Sequence, residues 1–92
     1  MGYEARPAYA QVVERIASPT EQKKLQSLLR QVRIEAGLNQ DEVARRLGRP
    51  QSFVSKYETG ERRLDILELR QVCAVLGLSV TEFVHRLEGS IS

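Results

Sequence analysis

From Leu25 onward, apolar residues return at spacings of three and four in short runs, and a glycine follows each of the first four runs. That rhythm constrains the fold more than any other feature of the chain. Spacings of three and four line one face of a helix, and a glycine just past the last apolar residue supplies the backbone conformation that ends one. No segment alternates apolar and polar residues for long enough to make a strand. The expected class is all-α, with five helices.

Helix starts are as legible as the stops. Ser18-Pro19-Thr20-Glu21 combines a capping serine, a proline at the first helical position and a glutamate three residues after the cap. Asn39 with Glu42 and Ser79 with Glu82 repeat the spacing, and Asp65 caps between them. The expected inner faces are Leu25, Leu28, Leu29, Val32 and Ala36, then Val43, Ala44 and Leu47. Val54 and Tyr57 follow in a third helix over about 50–58, and Ile66, Leu69, Val72, Cys73 and Leu76 in a fourth. Val80, Phe83, Val84 and Leu87 complete the fifth, and Gly37, Gly48, Gly60 and Gly77 close the first four.

Ninety-two residues are enough for one domain and too few for a deep substrate cleft beside its core. The expected division is an extension over 1–17, a domain over 18–88 and a tail over 89–92. Within the extension, Pro7 followed by Tyr9, Val12, Val13 and Ile16 reads as a short amphipathic helix ended before Pro19. About three turns are marginal alone in water, so this piece packs either on its own domain or on a second subunit. No run is apolar enough for a membrane span, and the N-terminus lacks the pattern of a secretion signal. Cys73 is the only cysteine, which fits a reducing cytoplasm.

A net charge of +2 says little, but its distribution says more. Residues 23–63 carry ten Lys/Arg against five Asp/Glu, whereas the segments on either side are mildly acidic. A basic centre of this kind suits a phosphate-bearing partner. Within it, two short helices joined through Gly48-Arg49-Pro50 have the spacing of a helix-turn-helix, whose second helix enters the major groove. Gln51, Ser52, Ser55 and Lys56 share the outward face of that second helix, opposite Val54 and Tyr57. Such short polar side chains and a lysine can bond base edges: glutamine meets adenine twice, and lysine favours guanine.

Leu29-Arg30, Arg33, Gly37-Leu38-Asn39-Gln40, Val43-Ala44, Leu47-Gly48, Gln51-Ser52, Val54-Ser55, Glu58 and Gly60 stand in one register without insertion. Leu69, Val72, Leu76-Gly77-Leu78-Ser79 and Phe83 continue it. The string resembles the lambda-repressor-like, or XRE, family of helix-turn-helix DNA-binding proteins, over roughly residues 25–87. The resemblance implies a five-helix DNA-binding domain, with Gln51, Ser52, Ser55 and Lys56 reading bases. It implies phosphate contacts from Asn39, Gln40, Arg49, Phe53, Arg62 and Arg63, and a structural pair between Arg33 and Glu58. Two positions depart from the family pattern. Arg49-Pro50 replaces a small hydroxyl cap, and Phe53 is larger than usual, either touching the DNA or packing over the helix edge. Arg62 and Arg63 lie just beyond the recognition helix, at a solvated rim or on phosphate.

Enzymatic chemistry finds no support. His85 is a lone histidine, Cys73 lies on an apolar face without a metal-ligand partner, and the carboxylates fall at caps and polar faces. No catalytic residue, metal or cofactor is expected. The expected partner is duplex DNA with a pseudo-palindromic operator, bound by a homodimer that pairs through the N-terminal helix or the fifth. The alternative is an antitoxin-like module gripping a protein partner through one of those same surfaces.

Overall fold

Ser18 opens the first helix with its side chain: Oγ accepts from the Glu21 amide at 3.2 Å, and Pro19 follows where its missing N–H costs nothing. The computed structural model describes residues 18–91, so the helix expected around Tyr9–Ile16 lies outside the described residues. Five helices follow in order: α1 Pro19–Glu35, α2 Gln40–Leu47, α3 Gln51–Thr59, α4 Ile66–Leu76 and α5 Val80–Ile91. There is no strand among the described residues.

Capping decides where most of these helices begin. Asn39 and Asp65 form reciprocal boxes with Glu42 and Glu68, each glutamate reaching back to the cap amide. Ser79 and Glu82 do the same at α5, at 3.0 and 2.9 Å. Each box satisfies two amides that a helix start leaves unpaired. α3 is the exception, since Pro50 is its N-cap and gives no side-chain hydrogen bond.

The α2–α3 turn depends on Gly48 at φ 69°, where the Gly48 and Arg49 amides close on Arg45 and Ala44 carbonyls. A side chain there would strain the backbone and open the angle between the two helices. Gly60, at φ 88°, ends α3 for a second reason as well: a Cβ would collide with the Gln26 side chain of α1.

The core gathers Leu28, Leu29 and Val32 from α1, Val43 and Ala44 from α2, and Phe53, Val54 and Tyr57 from α3. Val72, Cys73 and Leu76 from α4 and Phe83 from α5 complete it. Phe83, Val43, Val54 and Val72 are fully buried, each contributing about 1.5–3 kcal/mol relative to exposure. α2 packs on α3 and α4, and α1 backs onto α3 and α5. α3 thus lies against a fixed support.

Three inner-face expectations are corrected. Ile66 is 64% exposed, Val84 is 39% exposed, and Ala36 also faces solvent. Ile66 is the first residue of α4, before the helix has turned onto the core, and Ala36 is already the C-cap of α1. Val84 sits one step around α5 from Phe83, on a side that no other described helix covers. The last helix runs on to Ile91, past the boundary expected at residue 88. No helix among the described residues is long and apolar enough to cross a membrane.

Candidate nucleic-acid interface

Arg33, in the last turn of α1, and Glu58, near the end of α3, meet in a two-pronged ion pair. Nε donates to Oε2 at 2.7 Å and Nη2 to Oε1 at 3.1 Å, while Nη1 reaches the Leu38 carbonyl at 3.0 Å. Their side chains are 11% and 3% exposed, and the hydrogen bonds that the guanidinium donates to Glu58 raise its pKa. A planar fork satisfied on all these sides suits a site closed to water.

The carboxylate also accepts from Gln40 Nε2 at 3.0 Å, and Gln40 Oε1 in turn accepts from Gln51 Nε2 at 2.7 Å. The line runs from inside the fold to its surface: Arg33, Glu58, Gln40, Gln51. It joins the first residue of α2 to the first residue of α3. An amide nitrogen has two hydrogens, so Gln51 keeps one N–H and its carbonyl oxygen for a partner outside. Beside it, Ser52 and Lys56 are exposed and Ser55 is half-buried. These four side chains belong to a single helix whose opposite face, Val54 and Tyr57, is locked into the core.

A second cluster borders the first. The ring of Phe53 lies under the guanidinium groups of Arg49 and Arg62, at 4.5 and 4.8 Å from its centroid, and meets Tyr57 edge-on at 5.6 Å. Glu68, in the first turn of α4, holds both arginines. It accepts from Arg62 at 3.0 and 2.7 Å and lies 3.7 Å from Arg49. Arg62's hydrogen bonds, helped by the Asp65 amide, bring the Glu68 pKa down to about 2.

Phe53, expected among the phosphate contacts, lies beneath the two arginines. Its ring is 8% exposed and its amide is spent on the Pro50 carbonyl at 2.9 Å. Phe53 is instead the platform on which two arginines stack. Asn39 spends its side-chain oxygen on the Glu42 amide. Arg63 is exposed, its side chain making no hydrogen bond or ion pair among the described residues. Glu68 was missed in the sequence, because nothing in its spacing signals that arginines from two other segments converge on it.

The described residues hold no group of three His, Cys, Asp or Glu suited to a metal ion. Cys73 is fully buried, which pushes its thiol up to about 11. A cavity of about 120 Å³ behind α3 is lined by Leu25, Leu29, Tyr57, Leu64 and Leu69 among others.

A rigid helix bearing an outward row of hydrogen-bonding side chains, rimmed by arginines, is the recognition element of a helix-turn-helix DNA-binding domain. Comparison with known proteins agrees: the helix-turn-helix family model matches residues 29–83. The chain belongs to the XRE-type helix-turn-helix family. An XRE-family like protein from Pseudomonas syringae pv. tomato str. DC3000 is 37% identical, with a TM-score of 0.74 over 91% of this chain and 98% of that one. The clp gene regulator ClgR from C. glutamicum is 27% identical, with a TM-score of 0.71 over 82% and 97%. A point mutant of the restriction-modification controller protein C.Esp1396I is 25% identical, with a TM-score of 0.71 over 77% and 90%. No curated protein sequence matches.

Proposed function

We propose that this chain regulates transcription by binding a specific duplex sequence as a repressor or autoregulator, acting as a homodimer on a pseudo-palindromic operator. The observation that carries the reading is the line of hydrogen bonds ending at Gln51. A glutamine held from behind, with one donor and one acceptor left side by side, matches the N7 and N6 edge of adenine. Ser52, Ser55 and Lys56 read neighbouring bases from the same face. Gln40, with its second amide hydrogen, and Asn39 take phosphate at the start of α2. Arg49, Arg62 and Arg63 line the rim and take phosphate beyond α3. The regulators among its structural relatives support the same reading.

Selection of bound sites from random duplexes tests it. The expected result is a short motif with adenine at a fixed position, repeated in inverted orientation. Recovery of no preferred sequence at physiological salt would overturn sequence-specific regulation.

A further inference from the structure

The cavity behind α3 combines three features that a close-packed core avoids. Its volume of about 120 Å³ is several times the share of one water molecule. It approaches the roughly 150 Å³ that takes up a benzene ring in an engineered apolar core. Leu25, Leu29, Leu64 and Leu69 make its walls largely apolar. Tyr57 lines it as well, only 2% exposed, and its hydroxyl finds no hydrogen-bond partner among the described residues. Buried hydroxyls are rarely left so, because the loss of water is then uncompensated.

Two further polar groups converge on the same place. Gln22 and Gln26 stand one turn apart on α1, on the face that turns Leu25 and Leu29 to the cavity. Both residues are half-buried, and neither side chain makes a hydrogen bond among the described residues. Gly60 also lines the cavity, and its missing side chain leaves room for the Gln26 carboxamide. A mostly apolar hollow with a few converging polar groups is the general form of a small-molecule site.

We propose that this cavity binds a small uncharged ring compound bearing one carbonyl or hydroxyl oxygen, to which the Tyr57 hydroxyl donates. The ring lies among the four leucines, and the Gln22 and Gln26 carboxamides offer further hydrogen bonds. Electrostatics favour an uncharged guest. Burial, and after it the Glu58 carboxylate, hold the Tyr57 pKa above its ordinary value, so the hydroxyl keeps its proton. The same carboxylate opposes an anion beside Tyr57, while Arg62 and Arg63, which also line the cavity, oppose a cation. The volume limits the guest to about seven or eight non-hydrogen atoms. The site goes beyond the DNA reading and does not rest on it, although Tyr57 belongs to the helix that carries Gln51.

Titration of the full chain with cyclohexanone, followed through amide NMR shifts, tests the site. Saturable shifts are expected around Leu29, Tyr57, Gly60 and Leu64, with a dissociation constant of about 1 mM. Benzoate, a ring of similar size carrying a charge, is expected to bind at least about 10-fold more weakly. Tyr57→Phe should weaken cyclohexanone binding by roughly 5–10-fold. Without cyclohexanone, the same variant should unfold in urea at a midpoint no lower than the wild type. Leu64→Phe, which fills the cavity from the α3–α4 connection, should abolish the saturable shifts. Shifts that never saturate, equal binding of benzoate, or undiminished binding by either variant would overturn the site. A Tyr57→Phe midpoint well below the wild type would overturn it too, by showing that the hydroxyl is already bonded within the fold.

Discussion

Gln51 Nε2 donates to Gln40 Oε1 at 2.7 Å, so the first residues of α2 and α3 hold each other by their side chains. The group proposed to read a base and the group proposed to hold a phosphate are thereby coupled. Gln51→Ala is expected to lower discrimination at one base pair by roughly 1–3 kcal/mol. Gln40→Ala weakens every site and also blurs that same base pair, because Gln51 loses its support. A double-mutant cycle across operator variants measures the coupling. Additive losses would mean that the two side chains act separately.

Breaking the anchor should cost the fold itself. Glu58 is 3% exposed and Arg33 is 11% exposed. Glu58→Ala leaves the guanidinium buried without its anion, an expected loss of roughly 3–5 kcal/mol in urea unfolding. Joint replacement by Arg33→Met and Glu58→Leu should recover much of it, since apolar pairs often substitute for buried ions. A double variant no more stable than Glu58→Ala alone would point to a different cause.

Duplex affinity should fall steeply with salt, with a slope of about −0.9 in log K against log salt for each phosphate neutralised. Arg63 carries a guanidinium that no described residue occupies. Arg63→Ala should flatten the slope by roughly one such step, with sequence preference unchanged. An unchanged slope would remove Arg63 from the phosphate contacts.

Acid should loosen the arginine rim. The Glu68 pKa is lowered from 4.5 to about 2 in the folded protein, chiefly by Arg62. A depressed carboxyl stabilises the fold above its unfolded pKa, and that contribution is lost as pH falls from about 5 towards 2. Urea midpoints of the wild type should drop across this window, while those of Glu68→Gln drop less. Parallel curves for the two proteins would show that Glu68 is not the group responsible.

The helical frame was legible because its signals are local. Ser18, Asn39, Asp65 and Ser79 each carry their cap within three residues, and Gly48 needs only its own backbone angle. Arg33 and Glu58 could be paired by family resemblance, although 25 residues separate them. Phe53 could not be resolved that way. Its burial depends on Arg49, Arg62 and Glu68 converging from three segments, and periodicity carries no trace of such a cluster. Ile66 differs for a geometric reason: a spacing of three from Leu69 puts it on the right face, but at the helix end no described residue covers that face.

The buried carboxylate at the root of the Gln40–Gln51 line has a consequence for the alphabet this surface uses. Both Glu58 oxygens accept from Arg33, and Oε1 accepts from Gln40 as well, so the nitrogen of Gln40 faces the carboxylate and the nitrogen of Gln51 faces Gln40. Both amides are therefore oriented by a charge that DNA never touches. A carboxamide of the same shape, as in Glu58→Gln, would preserve the packing but remove that orientation, and either end of each amide would then fit. If Gln51 reads a base as proposed, the letter it reads is set by a carboxylate two side chains deeper.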